Sequence, residues 1–257
     1  MTFLEINGLT KLFGGLAAVT ELDISVDQGK IFGLIGPNGA GKSTVLNMIS
    51  GTIKPTRGRI VFNDEEITNF PSHRRAQRGI GRVFQEDILF ENFSALENVK
   101  VGLHLRSSNN FADVFFRARS TRIQEKKLNE IALSILEFVG LKEYSNEFAV
   151  NLPHGRQRLL SLAIALAIQP QLLLLDEPLT GMNPKEIEVM LTMIRSLREQ
   201  RGITCMLIEH NLKAVMGLCD RIAVLNFGKK IAEGSPEEIV ENQTVIEAYL
   251  GTEEDDI

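Results

Sequence analysis

At 257 residues with 44% apolar side chains, the chain is long enough to bury one large α/β core without disulfide or metal staples. Its net charge of −5 argues against a nucleic-acid binder that relies on bulk positive charge, and its composition argues against global disorder. The longest apolar run, Leu159 to Ile168, is interrupted by Ser161 and is too short to span a bilayer. The chain therefore reads as soluble, and service to a membrane would pass through an embedded partner.

Phe3-Leu4-Glu5-Ile6 and Leu22 to Val26 alternate in polarity as strands with one buried face do. Between them lies Leu12-Phe13-Gly14-Gly15, where Phe13 either packs or, beside two glycines, stacks on a base. Ile31 to Ile35 reads as a buried strand, and Val45 to Ile49 has helical spacing that stops near Gly51. The segment joining them, Gly36-Pro37-Asn38-Gly39-Ala40-Gly41-Lys42-Ser43-Thr44, has the G-x4-G-K-[ST] pattern of a phosphate-binding loop in its required strand-to-helix context. Without side chains at Gly36, Gly39 and Gly41 the backbone can turn successive N–H groups toward one anion. The helix that follows adds roughly half a positive charge. Lys42 is expected to reach the β- and γ-phosphates, and Ser43 to hold Mg²⁺. Arg59 to Phe62 completes a set of short strands that suggests an antiparallel subdomain on the flank of a parallel sheet.

Pro71 to Arg78 is a short helix, and Ile80 to Phe84 is a strand that ends at Gln85, whose amide can reach a metal-bound or attacking water. From about Glu86 to Ile168 the periodicity is helical, with a polar break at Ser107 to Asn110. The basic run Arg117, Arg119, Arg122, Lys126 and Lys127 is either a solvated helix face or a surface for an acidic partner or phospholipid headgroups. Ile131 to Val139 is an amphipathic helix ending at Gly140. Strand signals return at Leu172 to Leu175. Helix Lys185 to Gln200, strand Ile203 to Ile208, helix Leu212 to Leu218 and strand Arg221 to Leu225 follow, an alternation that implies a parallel sheet with right-handed crossovers. A hairpin strand at Lys229 to Ala232, one or two tail helices from Ser235 and an acidic end at Glu253 to Asp256 close the chain. Cys205 and Cys219 sit in apolar surroundings without metal spacing and read as buried thiols of a reducing compartment.

The leucine strand ends in Asp176-Glu177-Pro178, which delivers two carboxylates where α/β sheets bind ligands. The first is expected to orient Mg²⁺, and the second to polarise an attacking water as general base. His210 closes the next strand, where it can bond a γ-phosphate or the attacking water.

Taken together, Phe13, Gly36 to Thr44, Gln85, Leu152 to Gln157, Leu172 to Glu177, Thr180 to Asn183 and His210 resemble the nucleotide-binding subunit of an ABC transporter over nearly the whole chain. The resemblance implies an α/β fold of the P-loop NTPase (RecA-like) type, a parallel-sheet core carrying an antiparallel β subdomain and an inserted α-helical subdomain. It divides the chain into core residues 1–85 and 169–235, a helical subdomain at 86–168 that docks on a membrane subunit, and a tail at 236–257. It makes ATP and Mg²⁺ the cofactors, with Ser43, Gln85 and Asp176 toward the metal. It makes Phe13 the aromatic on adenine, Glu177 the catalytic base, Gln85 the Q-loop residue, His210 the switch histidine and Thr180-Gly181-Met182-Asn183 the D-loop.

Within the family the chain is most similar to ATPases of branched-chain amino acid importers, through Gly181-Met182-Asn183-Pro184, Ile208-Glu209-His210-Asn211 and the ending Val245 to Gly251. Urea and amide importers and lipopolysaccharide exporters look similar, and a nucleotide-gated module that hydrolyses weakly is a further reading. A soluble ABC ATPase acting on DNA or ribosomes is disfavoured by the short spacing from Gln85 to Gly155 and the single phosphate loop. The implied partners are permease subunits, a second ATPase subunit and, indirectly, a substrate-binding protein, with the chain peripheral on the cytoplasmic face of the plasma membrane. No nucleic-acid partner is implied.

The chain departs from the family at its signature. L-S-G-G-Q is replaced by Leu152-Pro153-His154-Gly155-Arg156, followed by Gln157. Pro153 has neither hydroxyl nor N–H, so two donors for a γ-phosphate across a dimer interface are missing. Arg156 is either a compensating charged donor or a solvated first-turn residue. The expectation is a heterodimer with unequal sites, in which Gly155, Arg156 and Gln157 serve the weaker one.

Overall fold

The computed structural model describes residues 2–85, 88–107 and 121–250. The acidic end, Arg117, Arg119 and the break at 108–110 lie outside these residues. Two strands open the chain, β1 (Thr2–Phe13) and β2 (Leu16–Asp27), which pair antiparallel across Gly14-Gly15. Each is 12 residues long, well beyond the alternating stretches visible in the sequence. The reason is that the register shifts between Ile6 and Leu9 and again between Leu9 and Lys11, and each bulge moves the apolar residues to a new phase.

After β3 (Ile31–Ile35) come β4 (Arg57–Phe62) and β5 (Glu65–Glu66), and the first sheet has the order β2-β1-β4-β5. The second sheet adds β6 (Ile80–Val83), β7 (Leu172–Asp176), β8 (Thr204–Ile208), β9 (Arg221–Asn226) and β10 (Lys229–Gly234) in the order β10-β9-β3-β8-β7-β6. Strands β9, β3, β8 and β7 run parallel, and β10 returns antiparallel along β9. The loop-bearing strand β3 is thus central, with its sequence-distant neighbours β8 and β9 on either side.

Alternate residues of a strand share a face. Phe32 and Leu34, Leu172 and Leu174, Met206 and Ile208, and Ala223 and Leu225 form one buried cluster with Leu4, Ile6 and Ile60 of the first sheet. Between the sheets lies α1 (Lys42–Ser50), which contributes Val45, Leu46, Met48 and Ile49 to the same cluster. At roughly 1.5–3 kcal/mol for each fully buried large side chain, this layer fixes both β3 and the helix that follows it. At the far end of α1, Gly51 takes a left-handed φ of 78°. There Arg75 of α2 (Ser72–Gln77) donates to the carbonyls of Met48, Ile49, Thr68 and Phe70.

The chain folds into two compact units. The first is Met1–Arg82, Gln171–Glu177 and Ile194–Ile257, and the second is Val83–Pro170 and Pro178–Met193. The second unit holds α3 (Ala95–Ser107), α4 (Thr121–Phe138) and α5 (His154–Ala167). Its described residues between 88 and 168 contain no strand, only a single bridge between Ser94 and Phe148. A Ser94–Glu97 capping box starts α3. Gly102 lets α3 approach α5, since a Cβ there would lie 2.8 Å from the Ala167 Cβ. Helix α6 (Pro184–Arg201) contributes to both units, and α7 (Leu212–Leu218), α8 (Pro236–Val240) and α9 (Gln243–Leu250) belong to the first.

Candidate nucleotide site

The loop Gly36–Gly41 leaves the C-terminal end of β3 and enters α1. Two of its glycines are required on steric grounds. At Gly36 (φ 146°) a Cβ would fall 2.0 Å from the Leu225 carbonyl oxygen, and at Gly41 (φ 99°) 2.4 Å from that of Ala18. The loop is therefore wedged between β9 and β2. Gly41 is also the N-cap of α1 and brings no side-chain cap, so the first-turn N–H groups keep their capacity for an anion. Pro37 is half-buried, Ala40 is buried and Asn38 and Gly39 are exposed, while Ser43 is exposed and Thr44 half-buried in the first turn of α1.

Lys42 is buried, and its Nζ donates to the carbonyls of Gly36 and Pro37, 2.8 Å each. Burial holds its pKa below the ordinary lysine value, against the opposing charges of Glu177 and Asp176. Both carboxylates are thus electrostatic neighbours of the loop lysine, as the strand order requires. Asp176 ends β7 and pairs in register with Ile208, the last residue of β8.

Glu177 has a φ of 49°, a left-handed conformation that costs a non-glycine residue about 1–3 kcal/mol and concentrates at functional sites. Its N–H donates to the Ile208 carbonyl, and its Oε1 lies 2.8 Å from His210 Nε2. Phe13 is at the hairpin end of β1, paired with Leu16 and 48% exposed, and the Lys11 ammonium lies 5.0 Å from its ring centre. It is not a core residue.

Sequence reasoning did not reach two further groups, Arg82 with its acceptors on α1 and Tyr249. Arg82 of β6 forms a buried ion pair with Asp176, its Nη2 2.7 Å from Oδ2. Its Nη1 donates to Asn47 Oδ1 at 2.6 Å and Ser50 Oγ at 3.1 Å, both on α1. Asp176 Oδ1, by contrast, is buried with no hydrogen-bond partner among the described residues. The phenol of Tyr249 on α9 is hydrogen-bonded to the Gly36 backbone, and burial raises its pKa to about 12.

The remaining predicted residues belong to the second unit. Gln85 is exposed in the bend after β6. Pro153 is the N-cap of α5 and supplies no side-chain bond. His154 Nε2 lies 3.2 Å from the Thr180 carbonyl. Gly155 is packed against Glu186, with a Cβ position 2.4 Å from its Oε1. Arg156 stacks its guanidinium over Tyr144, 3.9 Å from the ring centre, and the Gln157 amide donates to the Ala149 carbonyl. Asn183 caps α6, its Oδ1 accepting from the N–H groups of Lys185 and Glu186 while Glu186 reaches back to the Asn183 N–H.

A glycine-wedged phosphate loop, a buried lysine at its end and two acids at the end of a parallel strand define a P-loop nucleoside triphosphatase. The model of the ABC transporter family matches residues 19–180, and that of the branched-chain amino acid ATP-binding cassette transporter matches residues 229–255. The chain belongs to the ABC transporter family, as one of its ATP-binding and ATP-hydrolysing subunits. It is 42% identical over 248 residues to the high-affinity branched-chain amino acid transport ATP-binding protein BraF of Pseudomonas aeruginosa, covering 96% of this chain and 97% of that protein. The corresponding LivG of Escherichia coli K12 is 41% identical with the same coverage. Among solved structures, the ADP conformation of an ATP-binding cassette of an ABC transporter has a TM-score of 0.86 at 31% identity. It covers 98% of this chain, and this chain covers 99% of it.

Proposed function

We propose that this chain powers the uptake of branched-chain amino acids through permease subunits, as one of two unequal ATPases on the cytoplasmic face of the plasma membrane. The observation that carries the cargo is the 42% identity to BraF over nearly the full length of both proteins. Among the described residues no helix is long and apolar enough to cross a membrane, so energy has to be delivered to a partner that does. Exposed Phe90, Phe93, Phe148 and Val150 on the second unit support docking on such a partner.

In this reading the loop N–H groups of Asn38, Gly39 and Gly41 hold the phosphates together with Lys42 and Thr44, and Phe13 stacks on the adenine. Mg²⁺ fits the residues present. Asp176 keeps one buried oxygen without a partner among the described residues, and the Ser43 hydroxyl is exposed at the helix start. Mg²⁺ commonly takes one or two protein oxygens together with phosphates. When bound it offsets the charge that develops on the β- and γ-phosphate oxygens. Glu177 accepts the proton of the water that attacks the γ-phosphorus, and His210 holds the Glu177 carboxylate in place through Nε2.

The site on this chain's Lys42, Glu177 and His210 takes its signature from a different subunit. The reciprocal site receives Gly155, Arg156 and Gln157 of this chain and lacks the donors that Pro153 removes. Loss of one preorganised donor costs about 10²- to 10³-fold in rate, so the two sites turn over unequally. In a mixed dimer with the catalytic glutamate removed from one subunit at a time, equal losses would overturn the heterodimer. For the cargo, uptake of radiolabelled leucine, isoleucine and valine is measured after deletion of the gene. Unchanged uptake of all three would overturn the substrate class and leave the ATPase intact.

A further inference from the structure

Asp176 is bound on one side only. Its Oδ2 takes the Arg82 guanidinium at 2.7 Å, while its Oδ1 is equally shut off from water and has no partner among the described residues. The ion pair itself is nearly dry, with 8% of the Arg82 side chain and 5% of the Asp176 side chain exposed. A charge-assisted bond from a rigid guanidinium fork sets the plane of a carboxylate as well as its position.

The other prong of the fork runs to α1. Asn47 and Ser50, which accept from Arg82 Nη1, follow Ser43 at i+4 and i+7, so the three lie on one stripe of the helix. Ser43 opens that stripe and Arg82 is anchored further along it. One side chain from β6 therefore fixes the carboxylate at the end of β7 in register with the helix that presents Lys42 and Ser43.

We propose that Arg82 is a positioning residue for nucleotide-bound Mg²⁺: it holds Asp176 by Oδ2 alone, aims Oδ1 at the ion, and keeps that oxygen in register with the Ser43 hydroxyl. The inference rests on the reading of Asp176 and Ser43 as the protein's oxygens toward Mg²⁺. It adds a residue that touches neither nucleotide nor ion and acts through Asp176. Lysine would keep the charge but not the fork, and asparagine or glutamine would keep one bond without the charge. Neither substitution preserves both tethers.

The test is the Mg²⁺ dependence of nucleotide binding, followed with a fluorescent ATP analogue on the full chain, with EDTA as the metal-free arm. Arg82→Lys and Arg82→Gln are expected to raise the Mg²⁺ concentration that gives half of the metal-dependent gain in affinity by about 10-fold or more, the usual cost of losing an outer partner of a metal ligand. Binding in EDTA should stay within about 2-fold, because the loop amides and Lys42 are unaltered. Asn47→Ala removes one tether without leaving a buried charge unpaired, and is expected to shift the Mg²⁺ midpoint in the same direction by a smaller factor.

An unshifted Mg²⁺ midpoint in folded Arg82→Lys and Asn47→Ala would overturn the proposal. So would equal losses with and without metal, which mark a purely structural role. Asp176→Asn in the same assay separates the two layers. If it retains the full Mg²⁺ effect, the assignment of Asp176 to the ion fails, and that result is independent of what Arg82 does.

Discussion

His210 Nε2 lies 2.8 Å from Glu177 Oε1, so a residue just past the end of β8 meets the carboxylate just past the end of β7. Glu177 is 13% exposed at its side chain and His210 44%, which leaves the histidine accessible while the carboxylate is sheltered. Glu177→Gln keeps the size of the side chain and its ability to meet His210, and it removes the proton acceptor. Turnover is expected to fall about 10²- to 10⁴-fold with ATP affinity little changed. Phosphate release and equilibrium binding on the same preparation check this, and unchanged release would remove Glu177 from the base role.

A second expectation concerns Pro153. As the N-cap of α5 it offers neither a side-chain acceptor to the first turn nor an N–H to a ligand. Serine at this position supplies both, and a serine cap adds about 1 kcal/mol to a helix. Pro153→Ser should therefore raise the melting temperature slightly and speed the partner-held site by at least about 10-fold. The measurement is steady-state ATPase of the mixed dimer with Glu177→Gln in this chain, so that only the partner-held site turns over. No gain in rate would mean that Pro153 is not what limits that site.

The parts of the site that were legible in the sequence are those whose chemistry demands neighbouring residues. The phosphate loop needs its glycines, lysine and hydroxyls in one run, and Asp176-Glu177 needs a strand end. Arg82 was invisible because its acceptors lie 32, 35 and 94 residues away, and nothing local distinguishes it from a surface arginine. The helical character of 88–107 and 121–168 could be read, whereas the length of β1 and β2 was hidden by bulges that reset the alternation. Asn183 read as the last residue of the D-loop. Its capping bonds to Lys185 and Glu186 give it a structural task that asparagine performs as well as aspartate.

Acid stability should depend on Asp220. Burial pushes its carboxyl up, but the Ile31 N–H, Lys30 and Arg198 outweigh that effect and hold its pKa below the ordinary aspartate value. A carboxyl lowered on folding contributes stability that is fully present above its unfolded pKa of about 3.9. That contribution is lost as pH falls through the folded value. Asp220→Asn is expected to cost roughly 2 kcal/mol near neutral pH, and the gap between variant and parent should close below about pH 4. Urea unfolding at several pH values measures it. A gap that persists unchanged at pH 3 would show that the carboxylate's charge is not the source.

Arg75 gives the clearest prediction for stability alone. It is 1% exposed, and its guanidinium serves the carbonyls of Met48, Ile49, Thr68 and Phe70. Two of these belong to the last turn of α1, where carbonyls lack intrahelical partners and the helix dipole favours a cation. Burial lowers its pKa to about 10, so it remains charged at neutral pH. Arg75→Met keeps the packing volume and removes all four of these bonds, leaving the Met48 carbonyl its bond from the Gly51 N–H, at a cost of roughly 3 kcal/mol or more. Arg75→Lys restores a charge at one point and should recover only part of that loss. Both are read from denaturant midpoints. Because Lys42 and Ser43 occupy the opposite end of α1, ATP affinity of the folded fraction should stay close to that of the parent. A loss of affinity larger than the loss of folded protein would instead place Arg75 in the support of the phosphate loop.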